Sequence, residues 1–184
     1  TDKNEVGWFY CSKNSTEVDR YVMYNYAENI WFYGSLSRTA WVDAGIVNYP
    51  RAVSGGYVFQ HETGFNDDGS PMTNVFIESS DFDLGDGQDF AFLQKIIPDF
   101  KFLQNDNSGN VNIVVKTRNF PGDSLTVDST SAIAANTQQA FVRSRARQIV
   151  LRFESDDDAT ADGNLSIGWR LGATRIDVKP DGRR

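Results

Sequence analysis

The sequence predicts an all-β protein, in which propeller-blade-like aromatic hairpins are followed by an antiparallel β-sandwich. Short runs of aromatic and β-branched residues, the types that strands prefer, recur along the whole chain. Turn sequences rich in Gly, Asn, Asp and Pro separate these runs, and no stretch has the apolar period of an amphipathic helix. With 184 residues, 40% of them hydrophobic, the chain is long enough for one or two small domains with a core.

Residues 1–63 are predicted to form blade-like hairpins that are part of a larger propeller. Trp8-Phe9-Tyr10 recurs as Trp31-Phe32-Tyr33, and two short strands every roughly 20–25 residues is the spacing of half a propeller blade. The short connections SKNSTEV and AE favour hairpins between the first three strands. Strands are expected at VGWFYC, DRYVMYNY, NIWFYG, RTAWVD and GYVFQHE, residues 6–11, 19–26, 29–34, 38–43 and 56–62. Because the chain begins at Thr1 without methionine and strand residues follow almost at once, we expect a fragment of a longer protein.

Residues 74–184 are predicted to form the sandwich, with the polar stretch GFNDDGSPMTN as the boundary before it. Pro98 lies inside the second of its strands, which favours an edge strand or a bulge. Residues 123–139 are polar, small and without period, so a long mobile loop is expected there. The strands themselves are expected at residues 74–84, 90–103, 111–120, 140–154 and 165–178.

The charge and the cysteine count limit the possible functions. The formal net charge is −7 and the pI is about 4.7, so the average charge does not favour nucleic-acid binding. Cys11 is the single cysteine, which excludes an intrachain disulfide, and its place in an aromatic strand favours a small buried residue. No apolar run approaches the roughly 20 residues that span a bilayer, so no membrane partner is expected.

His61-Glu62, followed by Asp67-Asp68-Gly69, is the first candidate for catalysis or metal binding. Neighbours on a strand point to opposite faces, and a chain with one histidine has no second imidazole for a usual zinc site. Asp-Asp-Gly is also a turn sequence, so a structural role is favoured for the whole stretch.

Other chemistry finds little support in the sequence. The acidic groups at 81–87 and 156–163 do not match an EF-hand, although a calcium site of another kind stays open. A carboxylate-based glycan hydrolase also stays open, because any two of the 25 acids could converge in space. We therefore predict no catalytic residue, no metal, no cofactor and no small-molecule substrate, and we expect a protein that is not an enzyme.

A basic stripe in AFVRSRARQIVLRFE is the strongest interaction candidate. On one strand its odd positions share a face that is basic in its first half and apolar in its second. The stripe is either a solvent-facing stretch paired with neighbouring acids, or an anchor for an acidic partner surface or for DNA backbone. Together with a second basic group at the end of the chain, the candidate residues are Arg143, Arg145, Arg147, Arg183 and Arg184.

Several long segments, taken together, resemble a family of bacteriophage virion proteins. They are similar to the C-terminal region of the packaged-DNA stabilisation, tail-hub or nozzle proteins of short-tailed phages. The resemblance covers nearly the whole chain and keeps the order of the motifs. The segments are WFYCSKNSTEVDRYVMYNYAENIWFYGSLSRTAWVDAG, GGYVFQHETG, FIESSDFDLGDG, VKTRNFPG and WRLGATRIDVKPDGRR.

The resemblance implies a structural protein of the phage tail, made in the host cytoplasm and built into the virion. Its partners would be other tail or portal proteins and copies of itself in a ring below the portal. DNA would pass nearby without specific binding, since an acidic channel repels the duplex. The basic stripe would then face a neighbouring subunit. The alternative is a receptor- or carbohydrate-binding β-sandwich module, with Trp8, Trp31, Trp41 and Trp169 as possible stacking surfaces.

Overall fold

A computed structural model describes residues 3–67, 70–72, 74–103, 110–156 and 168–183. Within these ranges every regular element is a β-strand and every strand pair is antiparallel, which confirms the all-β class. The described part of the chain contains no helix with the length and apolar character needed to cross a membrane. The chain divides into two compact units, Thr1–Gly64 (unit 1) and Phe65–Arg184 (unit 2).

Unit 1 consists of two three-stranded meanders. The predicted hairpins among the first three strands are confirmed, because each strand pairs with the next in full register. One strand was not predicted, since Arg51–Ser54 is short and contains one β-branched residue. The first sheet has the order β1 (Glu5–Tyr10), β2 (Arg20–Asn25), β3 (Ile30–Ser35), and the second has β4 (Ala40–Val42), β5 (Arg51–Ser54), β6 (Tyr57–Gln60).

Unit 2 is a sandwich-like arrangement of two main sheets around one core. A four-stranded sheet has the order β13-β12-β15-β9, and a three-stranded sheet has the order β14-β10-β17. Buried apolar side chains of both sheets form a single cluster. The strands are β7 (Asn66–Asp67), β8 (Ser70–Pro71), β9 (Phe76–Glu78), β10 (Ala91–Ile97), β11 (Phe100–Phe102), β12 (Val111–Arg118), β13 (Thr126–Ile133), β14 (Ala140–Ala146), β15 (Gln148–Ser155), β16 (Trp169–Leu171) and β17 (Arg175–Pro180).

Three of the predicted long strands are each broken into two strands that belong to different sheets. Pro98 follows the end of β10 rather than lying in an edge strand or a bulge, because it lacks the N–H that would continue the ladder. The chain then enters β11, which pairs with β16. Similar breaks at Arg147 and at 172–174 separate β14 from β15 and β16 from β17. A strand that changes sheets in this way is how a sandwich forms its corners.

The predicted loop at 123–139 is wrong, because β13 occupies Thr126–Ile133. This strand pairs along nearly the whole of β12 and buries Ile133. Its composition misled the prediction for a physical reason. It is an edge strand with most of its side chains exposed, so serine, threonine and aspartate are tolerated where a central strand would need apolar residues.

Candidate interaction surfaces

His61 and Glu62 take separate partners, but strand alternation is not the reason, because the strand predicted at 56–62 ends at Gln60 and both residues follow it. The Nε2 atom of His61 accepts a hydrogen bond from Nε of Arg38 at 3.1 Å, and its ring lies 4.8 Å from the ring of Trp41. Glu62 has a positive φ of 61° and forms an ion pair with Lys3 at 3.5 Å. The contacts of this histidine are those of a packed structural residue. The predicted turn at Asp68-Gly69 lies outside the described residues.

The acidic groups do not form a metal site in the described part of the chain, where no cluster of three His, Cys, Asp or Glu side chains occurs. Asp81 is paired with Arg118, and most of the second acidic group, from 157 onward, lies outside the described residues. A cavity of about 200 Å³ lies beside the β10–β11 turn. The carboxylate in its lining is Asp99, which already accepts the backbone N–H of Ala173 at 2.9 Å. A glycosidase site needs a second carboxylate, which this lining does not contain.

Cys11 is exposed, so the expected buried position was wrong. The residue follows the last position of β1 and precedes the turn to β2. In that turn, the hydroxyl and backbone N–H of Ser12 both donate to the carboxylate of Asp19, each at 2.7 Å. The hydrogen bond from the Ser12 hydroxyl holds the pKa of Asp19 below its ordinary value.

The basic stripe begins on β14, where side chains alternate between buried and exposed. Arg143 and Arg145 are exposed, as predicted from the period of two. A bulge interrupts the ladder here, because two residues of β14, Val142 and Arg143, lie opposite Gln94 of β10. Arg143 has a positive φ of 57°, an uncommon backbone conformation for a residue with a side chain. Among the described residues it has no hydrogen bond or ion pair.

Arg145, Arg147 and Arg183 gather around the segment Asp89-Phe90, which precedes β10. The guanidinium carbon of Arg145 lies 4.0 Å from the centre of the Phe90 ring, and that of Arg147 lies 5.2 Å from the same ring. Nε of Arg183 is 3.0 Å from the carboxylate of Asp89. The sequence pattern predicts these arginines as candidates but not their contact with Asp89-Phe90. That segment is about 50 or more positions away from them in the chain. Arg184 lies outside the described residues.

The two halves of the predicted stripe lie in different sheets. The basic half belongs to β14, and the apolar half, Ile149, Leu151 and Phe153, belongs to β15 and to the core of unit 2. Arg145 is paired with Asp181 through both its carboxylate and its backbone oxygen. One member of the stripe is therefore paired with an acid, as the solvent-facing interpretation expects, whereas Arg143 is not.

A second candidate surface is the outer face of the β1–β3 sheet. The register places Trp8 opposite Val22 and Tyr33, and the next row on the same face contains Trp31. The exposed fractions are 49% for Trp8, 59% for Trp31 and 81% for Tyr33. We call this the aromatic face; its members are Val6, Trp8, Tyr10, Val22, Tyr24, Trp31 and Tyr33.

The rings of the aromatic face are ordered against each other. Trp8 and Trp31 have ring centres 5.9 Å apart and planes inclined by 22°. Tyr24 stacks on Trp31 with centres 4.5 Å apart and an angle of 25°. The opposite side of the same sheet packs on the second meander, where Phe9 lies 5.3 Å from Trp41. Both sides of this sheet are therefore apolar, and one of them is open.

The second meander also has an open apolar side. Trp41, Ala52 and Phe59 are cross-strand neighbours on the side that faces the first sheet. Valines alternate with them on the other side, where Val42, Val53 and Val58 are exposed. We call this the valine face. In the described part of unit 1 the buried apolar residues are Pro50 and Ala52, whereas the large buried hydrophobic side chains are in unit 2.

The outer face of the four-stranded sheet of unit 2 differs from the two open faces of unit 1, because a network of ion pairs covers it. Glu78 lies 2.6 Å from Lys116 and 3.5 Å from Arg152, which itself pairs with Glu154 at 2.6 Å. The hydrogen bond from Lys116 is the main reason why the pKa of Glu78 is lowered, and Arg152 adds to the effect. This face is occupied by its own charges, unlike the two open faces of unit 1.

Comparison with models of known protein families gave no match, and comparison with curated protein sequences gave none either.

Proposed function

We propose that the chain is a structural protein of a bacteriophage virion, part of the tail hub or nozzle, and that neighbouring protein covers the open faces of unit 1. The setting comes from the resemblance of the sequence segments to that family. The observation that carries the structural role is the shortage of burial in unit 1. An aromatic-rich unit in whose described part the buried apolar side chains are the small Ala52 and Pro50 lacks the enclosed core that usually stabilises a small domain.

The arrangement of the two meanders supports the propeller interpretation of unit 1. In a propeller each blade is packed on both sides, so both sides of its sheet must be apolar. The meanders of unit 1 pack on each other through Phe9 and Trp41, and each is apolar on its outer side as well. Two adjacent blades without their further neighbours would have this distribution of apolar residues. Exposed apolar surface of this extent marks an interaction site in a soluble protein.

The charge distribution supports a channel whose wall does not bind the DNA that passes along it. Chain and duplex are both negative, with a formal charge of −7 on the chain. Of the basic candidates, Arg145 and Arg183 are paired with Asp181 and Asp89. An arginine that is already paired offers little to a phosphate, because the counterion it would displace is its own carboxylate.

The proposal is tested in the phage or prophage that encodes the chain. Quantitative mass spectrometry of purified particles should find the protein at the copy number of a tail ring. Particles made without the gene should fail to retain packaged DNA. Normal infectivity and normal DNA content without the gene would refute the proposal.

A pair of variants tests whether the aromatic face is covered in the particle. Tyr33→Arg places a charge on the aromatic face, where the native ring is 81% exposed, so the chain itself should still fold. Complementation with this variant should give few assembled tails. Ile46→Arg is the matched control, since Ile46 is 90% exposed but lies in the loop between β4 and β5, outside both open faces. Equal assembly of the two variants would show that the face stays open in the particle.

The alternative, a carbohydrate-binding module, is favoured by one observation. Trp8 and Trp31 are both exposed, with ring planes inclined by only 22°, and exposed indole rings can stack on the apolar faces of sugars. Tryptophan fluorescence titrated with host-envelope oligosaccharides distinguishes the two functions. A saturable change that Trp31→Ala abolishes would favour the binding module, and its absence would favour the structural protein.

A further inference from the structure

Arg147 lies at the point where the chain leaves the β14-β10-β17 sheet and enters the β13-β12-β15-β9 sheet. Its guanidinium carbon is 5.2 Å from the centre of the Phe90 ring and 5.1 Å from the centre of the Phe120 ring. Its Nε atom is buried and has no hydrogen-bond partner in the described part of the chain. No ion pair of the described residues includes Arg147. Two aromatic rings therefore hold a cation for which the described residues supply no anion.

This state is unfavourable for an arginine. A guanidinium is a cation with five N–H donors and no acceptor of its own. A buried donor without an acceptor destabilises the folded chain, and more so when the group is charged. Contacts with the faces of aromatic rings offset part of that cost. The rings provide no in-plane acceptor. Because Nε is buried, an acceptor from another molecule would reach the guanidinium at its two Nη atoms.

We propose that Arg147 is the receptor for a side-chain carboxylate of a partner protein. A carboxylate fits the forked donors of a guanidinium with two parallel hydrogen bonds. The neighbouring arginines show the same preference within the chain, since Arg145 is paired with Asp181 and Arg183 with Asp89. Arg147 is the member of this group for which the described chain supplies no acid. The inference needs a protein partner but not a phage tail, so it stands apart from the proposed function.

The surroundings of Arg147 are those of an interface anchor. The Phe120 ring is 57% exposed and would be covered together with the arginine when a partner binds. Binding energy in protein interfaces is concentrated at arginine and aromatic side chains that become desolvated. Arg143, exposed and unpaired among the described residues, carries a second positive charge on the adjoining strand. Arg147 differs from it in being clamped, which lowers the entropy lost when a carboxylate binds.

The test is an NMR titration of the folded chain with N-acetyl-aspartate-N-methylamide at constant ionic strength. The Nε–Hε signal of Arg147 should move in a saturable manner, with an affinity roughly tenfold higher than any response at Arg143, as expected for one added charge-assisted hydrogen bond. Arg147→Lys keeps the charge but loses the fork, and should abolish the saturable response. Arg143→Lys is the control and should leave it unchanged. If Arg147→Lys does not fold, the signal of the native chain alone decides.

Two results would overturn the proposal. Equal responses of Arg143 and Arg147 would show that the probe senses charge and not a receptor. Saturation by inorganic phosphate at lower concentration than by the carboxylate would assign the position to a phosphate-bearing partner such as nucleic acid.

Discussion

Replacement of Ile113 by alanine tests where the core of unit 2 lies. Ile113 is 0% exposed in the central strand β12, and a row of side chains crosses the sheet from Ile113 through Phe153 to Ile77. Ile77 is on the edge strand β9 and is 49% exposed. Isoleucine to alanine at these two positions therefore removes the same atoms from the same row of side chains. At Ile113 the atoms come from an enclosed site, and at Ile77 they come from a half-exposed one.

The expected magnitudes follow from this geometry. Isoleucine to alanine removes three carbon atoms, worth about 0.8 kcal/mol each when buried, or about 2.5 kcal/mol in all. At Ile113 the cavity left behind adds to this, so the free energy of unfolding should fall by about 4 kcal/mol. Ile77 is about half exposed, so about half of this burial energy is lost there and no closed cavity forms. The free energy of unfolding should therefore fall by about 1 kcal/mol.

Hydrogen exchange of the β12 and β15 amides measures these losses in unit 2 without interference from unit 1. The most protected amides of Ile113→Ala should lose about 4 kcal/mol of protection, and those of Ile77→Ala about 1 kcal/mol. Equal losses in the two variants would refute the argument, because they would place the centre of the core elsewhere. So would a loss below about 1.5 kcal/mol for Ile113→Ala, which is less than the transfer term alone.

Three further predictions concern charge and pH. Because the pKa of Glu78 is lowered by folding, its ion pairs stabilise the folded state above the unfolded pKa of 4.5, and this stabilisation disappears as the pH falls through the folded pKa. Glu78→Gln should therefore lower the midpoint of urea unfolding, followed by circular dichroism, at pH 7 but not at pH 2. Burial raises the pKa of Tyr21 above 10.0, so the stability that its buried neutral ring contributes is present below that value and is lost as the pH rises through the folded pKa. Tyr21→Phe should remove this loss of stability at alkaline pH, as measured by ultraviolet titration and by unfolding above pH 10. Replacing both Arg143 and Arg147 by alanine should leave the slope of the logarithm of duplex-DNA affinity against the logarithm of salt unchanged in fluorescence anisotropy titrations. A slope that falls by about 0.9 for each replaced arginine would show that these residues contact phosphates, and would contradict their assignment to a protein partner.

The sequence predicts strands well where their composition is decisive. VGWFYC, DRYVMYNY and NIWFYG are rich in aromatic and β-branched residues and are joined by polar turns, and all three form strands of one antiparallel sheet. Local preference suffices here because each strand pairs with its neighbour in sequence. The edge strand β13 was missed, because exposed positions place no demand on hydrophobicity.

Positions where a strand changes sheets are harder to predict. The sequence AFVRSRARQIVLRFE has one uninterrupted period of two across Arg147, yet β14 and β15 belong to different sheets. The sequence shows the odd positions changing from basic to apolar at Arg147. It does not show the cause, which is that the chain pairs with β10 before Arg147 and with β12 after it, and both strands are distant in the sequence. Phe90 and Phe120 were missed as neighbours of Arg147 for the same reason, since long-range contacts leave no local pattern.

The two units meet the problem of an exposed sheet face in opposite ways. In unit 2, Lys116, Glu78 and Arg152 form an ion-pair network over the outer face of the four-stranded sheet, which makes further packing on that face costly because charges would have to be desolvated. In unit 1 the aromatic and valine faces are mainly apolar, with Arg20 beside Tyr10 on the first and Arg51 beside Val42 on the second. Covering the apolar part of these faces costs little desolvation and removes apolar surface from water. The group Arg145, Arg147 and Arg183 lies between these extremes, since it is charged but the described chain supplies no acid for Arg147. An acidic chain that keeps such a cation clamped between two rings is better suited to receiving a carboxylate from another protein than to holding a duplex, which it repels as a whole.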